Sequence, residues 1–264
     1  MDIARAFQAP FKDPQWMQKM GLGGLWGFLI VTYPAVSGAQ MDYIRSVSSG
    51  NQDLPEWTDF GDKWVRGFLM GLGMLIYMLP AFIIGVVAFI PVLIASVGGG
   101  DSEAAAIAGI GSVCILGALA TIWVIVVSIF ASAGMVNFAM TGRFGAMFAF
   151  GEIMSKIRSG TGYFTAWLMS IVIGFAAGAV VSVVSSTGVG AFLAPWIYFP
   201  AYMMTSHIFG QWAAVAYGVS AATPVYPDAP APPAPPYASA PPAPPAPPAP
   251  PAPPYASAPP NDQT

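Results

Sequence analysis

Charge is scarce in this sequence. Only 8% of its 264 residues are charged, against about 25% in an ordinary soluble domain. A soluble sphere of this size would need more polar surface, so lipid is the solvent that fits much of the chain. The net charge of −3 also lacks the basic excess of nucleic-acid-binding proteins, and we expect no nucleic-acid partner.

Cysteine and histidine are nearly absent. Cys114 is the single cysteine, which excludes a disulfide within the chain and a cysteine-based metal site. His207, the single histidine, has no carboxylate near it in sequence, so packing is favoured over metal ligation. No Ser–His pair in a catalytic context, HExxH pattern or P-loop occurs. We therefore expect no metal, no cofactor and no enzymatic activity.

Long apolar runs dominate the rest of the sequence. A transmembrane helix needs about 20 apolar residues, and four runs exceed that length: approximately Gly67–Val97, Ala104–Gly134, Tyr163–Ser185 and Val189–Gly218. Internal prolines remove backbone donors and predict kinks at Pro80, Pro91, Pro195 and Pro200. The predicted fold class is all-α, a polytopic transmembrane helical bundle in the cell membrane with the lipid bilayer as its main partner.

A shorter apolar run, residues 21–39, follows an interfacial segment formed by residues 1–20. Basic residues flank the run on both sides, so a full crossing would place several of them outside. A re-entrant or shallow hairpin bent near Pro34 is favoured over a full span. Such a bend must be covered by protein, because lipid cannot satisfy its free backbone groups.

Basic residues fall in two regions, the stretch from the N-terminus to Arg66 and the loop between the second and third long spans. They are Arg5, Lys12, Lys19, Arg45, Lys63, Arg66, Arg143, Lys156 and Arg158. Because basic loops stay in the cytoplasm, the four long spans alternate without conflict and both termini are predicted to be cytoplasmic.

Proline marks the C-terminal end of the membrane domain, residues 21–218. The last 46 residues contain 19 of the 27 prolines, together with many alanines. Residues 219–264 are therefore predicted to be a disordered, extended polyproline II tail in the cytoplasm. Such an arm binds the groove of a protein partner with little entropy loss, or it is only a solvated spacer. The sequence leaves both open.

Short sequence similarities predict an internal repeat and helix packing. Phe60-Gly61-Asp62 and Phe150-Gly151-Glu152 recur at corresponding places before the two pairs of long spans, and each is predicted to begin an interfacial helix that leads into a transmembrane hairpin. The GxxxG pairs Gly67/Gly71 and Gly174/Gly178 favour close helix packing within the monomer over dimerisation.

An acidic cluster lies before the first long span. It consists of Asp53, Glu56, Asp59 and Asp62, each three residues after the one before. Four carboxylates could hold a divalent cation, but helix capping is favoured. Asp53 is predicted to cap a helix that has Pro55 near its start. Asp59 and Asp62 are predicted at the N-cap and N3 positions of the next helix, with Lys63 and Arg66 as ion-pair partners.

Two motifs resemble the DUF4013 family. The N-terminal motif contains Phe11, Lys12, Asp13, Pro14 and Trp16. The candidate interface motif contains Leu54, Pro55, Glu56, Trp57, Asp59, Phe60, Gly61 and Asp62. The resemblance implies a multi-pass membrane protein of bacteria or archaea and supplies no reaction, ligand or catalytic residue.

The absence of buried charge bears most on function. Between Gly67 and Gly142 the only charged residues are Asp101 and Glu103, in the predicted outer loop. Ion-coupled transporters place ionisable residues at membrane depth. A membrane-embedded scaffold or anchor with a cytoplasmic proline-rich arm is therefore the first hypothesis. A passive carrier or channel for a neutral or apolar solute is the alternative.

Overall fold

Helices account for all of the regular secondary structure in the residues that the structure, a computed structural model, describes: 1–97 and 103–219. They are α1 (Ile3–Lys12), α2 (Trp16–Phe28), α3 (Tyr33–Ser48), α4 (Phe60–Val97), α5 (Glu103–Thr141), α6 (Phe150–Ser159), α7 (Tyr163–Ser185) and α8 (Ala194–Ala216). Two short 3₁₀ turns, Phe144–Phe148 and Val189–Leu193, precede α6 and α8. The all-α prediction is confirmed. The predicted tail lies outside the described residues except for Val219.

Three helical segments in the described ranges are long and apolar enough to cross a membrane: Phe60–Ile94, Gly109–Thr141 and Tyr163–Ser185. The fourth predicted span is not among them. It is α8, whose 23 residues include Pro200, His207 and Gln211. These polar and helix-breaking residues lower its hydropathy, and much of α8 is buried against α1, α2, α3 and α7.

The short N-terminal apolar run is bent. It lies in a helical hairpin in which α2 ends at Phe28, the chain turns through residues 29–32, and Pro34 occupies the first turn of α3. At ~1.5 Å per residue, α2 and α3 rise only about 20 and 24 Å, so neither is long enough to cross ~30 Å of hydrocarbon.

Helix α3 packs on the first turns of α4 at very close range. A Cβ atom added to Gly67 would lie 1.7 Å from the carbonyl oxygen of Pro34, and one added to Gly38 would lie 2.0 Å from that of Lys63. Only glycine allows the two backbones to approach this closely. Gly71, the other member of the GxxxG pair, has nothing within 4 Å of such a Cβ.

Two local predictions before the long helices are wrong. The chain between Ser48 and Phe60 is not helical, so Asp53 caps no helix. The loop that contains it is bonded to neighbouring elements instead, as described below. Phe60 begins α4 directly, whereas Phe150 begins the separate helix α6. The first unit therefore lacks the distinct interfacial helix that the repeat predicts.

Helix α8 ends where α6 and α7 meet. The Lys156 ammonium donates to the carbonyl oxygen of Ala216 and lies 4.3 Å from the centre of the Tyr217 ring. The Trp212 indole donates to the carbonyl oxygen of Gly160. A cation at a helix C-terminus complements the helix dipole. These contacts bring the end of α8 back to the end of the molecule where α7 begins.

Candidate functional site

The two sequence motifs meet at one buried carboxylate. Asp13, 4% exposed, follows α1. Its Oδ1 accepts from the Gln15 amide at 2.7 Å, and its Oδ2 accepts from the Lys19 ammonium at 2.8 Å and from the Leu54 amide at 2.9 Å. Lys19 also donates to the carbonyl oxygen of Leu54 at 3.0 Å. Asp13 therefore ties the α1–α2 turn to the loop before α4.

Apolar side chains also hold the loop before α4 in place. Leu54 is 2% exposed and packs in a cluster that includes Met20, Tyr43 and Phe199. The Trp57 ring lies 5.8 Å from that of Phe199, and its indole donates to the carbonyl oxygen of Lys19 at 3.0 Å. Burying these side chains fixes an irregular loop that has no helix of its own.

An ion network joins α3 to α4 beside this loop. The Asp42 carboxylate accepts from both terminal nitrogens of Arg66 and lies 3.3 Å from the Lys63 ammonium. Lys63, whose side chain is 7% exposed, also donates to the carbonyl oxygen of Thr58. A bidentate Arg–carboxylate pair fixes orientation as well as distance. The network locks the start of α4 against α3.

An open cleft of about 620 Å³ lies between the motifs and this network. We call it the ionic cleft; it is lined by Asp13, Pro14, Gln15, Lys19, Asp42, Ser46, Asn51, Asp53, Leu54, Pro55, Glu56, Thr58 and Lys63. Asp13, Lys19, Asp42 and Lys63 are engaged in the contacts above. The exposed residues Asp53 and Glu56 extend the carboxylate surface toward solution.

The remaining residues of the two motifs either pack against aromatic rings near the cleft or are exposed. Phe11 packs edge-on against Trp16 at 5.4 Å, and Lys12 is exposed in the last turn of α1. Phe60 packs against Trp26 at 4.9 Å. Gly61 is exposed, and a Cβ there would meet nothing within 4 Å.

Asp59 and Asp62 occupy the positions at the start of α4 that the capping prediction assigns to them. Asp59 immediately precedes the helix with a φ of 52°, a left-handed conformation that aspartate tolerates better than most residues. Asp62 lies in the first turn and pairs with Arg66 at 2.8 Å. Within residues 1–97 and 103–219, no three His, Cys, Asp or Glu side chains are grouped so that they could hold a metal ion.

Sequence reasoning missed Asp42 and the partner of His207. Asp42 lies on a different helix from Arg66, and no helical period connects the two positions. His207 is fully buried, and its Nδ1 lies 3.2 Å from the Tyr43 hydroxyl, which is also 3.2 Å from the carbonyl oxygen of Gln52. This contact links α8 through α3 to the loop beside the cleft.

Replacing Asp13 with asparagine is expected to lower the unfolding free energy by about 2–4 kcal/mol, because the Lys19 side chain, only 12% exposed, loses its counter-charge and an amide nitrogen faces a donor. Thermal unfolding of the purified protein in nanodiscs measures the change. Asp53→Asn, at an exposed carboxylate of the same cleft, is the matched control and should change stability little. Equal effects of the two substitutions would contradict this role for Asp13.

Low pH should weaken the contacts of the Asp13 carboxylate. Burial raises the pKa of Asp13, but hydrogen bonds from Lys19 and from the Gln15 and Leu54 amides outweigh it and leave the pKa below 3.8. A carboxyl with a lowered folded pKa stabilises the fold above its unfolded pKa and loses that contribution as the pH falls through the folded value. The stability gap between wild type and Asp13→Asn should therefore be constant near neutral pH and narrow below about pH 4. A gap that stays unchanged in acid would contradict this.

Comparison with known proteins identifies the family. The family model described as "Protein of unknown function (DUF4013)" matches residues 22–186, well over half of the chain. The match begins after the N-terminal motif and includes the candidate interface motif. The searches of curated proteins and of solved structures each found no match. The chain belongs to the DUF4013 family.

Proposed function

We propose that this protein is a membrane-embedded scaffold whose membrane helices anchor an ordered charged face, with the proline-rich tail as a cytoplasmic interaction arm. One observation carries the proposal. In an 18-residue apolar window of each of the three membrane-spanning segments, only 11%, 6% and 11% of the residues are buried within the protein, whereas the residues around Asp13 and Asp42 are linked by hydrogen bonds and ion pairs. Helices that present most of their side chains to lipid anchor a protein well but enclose little space for a solute.

The position of the charges supports an anchor with one polar face. Arg66 pairs with Asp42, Arg45 donates to the carbonyl oxygen of Ala139, and Lys156 donates to that of Ala216. These contacts lie at the start of α4 and the ends of α5 and α8. Basic residues collect on the cytoplasmic side of membrane proteins, so this face, with the ionic cleft, is proposed to be cytoplasmic.

The C-terminal end of α8 lies at the same end of the molecule as the start of α7, which supports an even number of membrane crossings. Its C-terminal end contacts Gly160, just before α7, through Trp212, and the Tyr217 hydroxyl donates to Asn137 near the end of α5. We propose that α8 is a fourth span despite its lower hydropathy, its polar side chains being covered by neighbouring helices. Both termini, including the tail, are then cytoplasmic.

Affinity purification from native membranes in mild detergent tests the scaffold. Four forms are compared: the full chain, a chain ending at Gly218, the cleft variant Asp53→Lys/Glu56→Lys, and the control Gln18→Lys on the exposed surface of α2. The proposal expects a stoichiometric protein partner that is retained by the control and lost with the tail or with the cleft variant. A partner-free protein in all four forms would contradict it.

Flux measurements separately test the alternative hypothesis of a passive carrier or channel. Purified protein is reconstituted into vesicles and challenged with a panel of neutral and apolar solutes. The scaffold proposal expects vesicles as tight as protein-free ones. Saturable flux of one solute would overturn the scaffold in favour of a passive carrier.

A further inference from the structure

The α2–α3 hairpin has an apolar tip that projects away from the charged face. Phe28, Leu29, Ile30 and Val31 are 42%, 46%, 90% and 77% exposed. The other end of the hairpin carries Lys19 and Asp42, which belong to the ionic cleft. Four consecutive large apolar residues at an exposed turn are costly in water, because nothing removes them from solvent.

The backbone of the tip is suited to a medium without water. The Thr32 hydroxyl lies 2.7 Å from the carbonyl oxygen of Trp26 and 3.0 Å from that of Leu29. The Trp64 indole on α4 donates to the carbonyl oxygen of Val31 at 2.6 Å. The Leu29 carbonyl also accepts from the backbone amides of Thr32 and Tyr33. The prediction that protein covers the bend is wrong, because residues 29–31 are 46%, 90% and 77% exposed. Internal hydrogen bonds to three carbonyl groups lower the cost that lipid contact would otherwise impose on this backbone.

The surfaces beside the tip are also apolar. On one side, Tyr33 and Pro34 line an apolar groove of about 310 Å³ together with Phe68, Leu72 and Leu75 of α4. On the other side, the Phe28 ring lies 6.1 Å from Phe192 and 6.2 Å from Trp196. The apolar surface of the tip therefore adjoins the apolar surfaces of α4 and of the α7–α8 connection. The surfaces of the membrane-spanning helices face lipid acyl chains.

The length of α3 indicates how far the tip of the hairpin extends into the hydrocarbon core. The stretch of α3 from Tyr33 to Asp42 rises about 14 Å, at ~1.5 Å per residue. Half of a ~30 Å hydrocarbon core is about 15 Å. With Asp42 and its ion partners at the headgroup level, the tip lies within the hydrocarbon core, and the hairpin returns to the face from which it enters.

We infer that the α2–α3 hairpin is a lipid-binding, re-entrant element that enters from the face carrying the ionic cleft and places residues 29–31 among the acyl chains. The occupant of this surface is lipid, because the tip is apolar, internally bonded and continuous with the spans. The inference rests on the hairpin alone and stands independently of the scaffold proposal.

Single cysteines in the full-length protein with Cys114→Ala test this placement in proteoliposomes. Gln18→Cys and Ser49→Cys mark the two exposed ends of the hairpin, and Ile30→Cys and Val31→Cys mark its tip. A membrane-impermeant maleimide is applied from either side, and a fluorophore at each position is quenched by lipids brominated on the acyl chain. Thermal unfolding of each variant confirms that it is folded.

We expect both end positions to be labelled from the same side. The tip positions should react at least about tenfold more slowly from either side, because the hydrocarbon excludes the reagent, and they should be quenched by brominated lipid. Labelling of the two ends from opposite sides would overturn re-entrance in favour of a crossing. Fast tip labelling, or a protected tip without lipid quenching, would overturn the lipid assignment.

Discussion

Gly67→Ala is expected to destroy the packing of α3 on α4. The new methyl group would lie 1.7 Å from the carbonyl oxygen of Pro34 and 2.7 Å from the amide nitrogen of Gly38. Both are backbone atoms, so relief requires the helices to separate and expose the apolar side chains between them. The cost should exceed about 3 kcal/mol, beyond the usual range for overpacking by one methyl group. Loss of the thermal transition, or a large fall in its midpoint, measures the effect.

Gly71→Ala is the matched control, because it adds the same methyl group one turn later in the same helix. Nothing lies within 4 Å of the added atom, and alanine is a better helix former than glycine by up to ~1 kcal/mol. This variant should be as stable as the wild type or more so. If the two alanine variants behave alike, the close α3–α4 contact is not what requires glycine at position 67.

Asp42→Asn is expected to cost about 3–5 kcal/mol, because removing the central carboxylate of a largely buried ion network leaves Lys63 without its ionic partner and Arg66 with only the exposed Asp62. The side chains of Lys63 and Arg66 are 7% and 18% exposed and face this carboxylate. Without it, two cations compete for backbone carbonyls in a poorly solvated site. Unfolding in nanodiscs at moderate ionic strength measures the loss.

Asp62→Asn removes another carboxylate from the same arginine and is the control. The Asp62 side chain is 67% exposed and pairs with Arg66 across one helical turn. Exposed pairs of this kind contribute less than about 1 kcal/mol and are screened by salt. The two substitutions should therefore differ severalfold. Similar losses would mean that Arg66 depends on total charge and not on the buried contact with Asp42.

The sequence by itself determined the solvent of this protein and much of its helical content. Scarce charge and long apolar runs leave lipid as the environment, and helices α4, α5 and α7 follow from those runs. The bend in residues 21–39 also follows from local features, since the run is short, glycine-rich and interrupted by Pro34. The two motifs were visible as well, because Trp, Pro and Asp rarely cluster in a plain loop.

Only the tertiary structure decided how these parts meet. Asp13 and Leu54 are far apart in the sequence, as are Asp42 and Arg66, and no helical or strand period connects the side chains of either pair. The role of Gly67 depends on the backbone of Pro34, which its own GxxxG spacing does not reveal. Non-local hydrogen bonds, ion pairs and backbone contacts are set by how helices cross, and a single sequence records their residues without recording their partners.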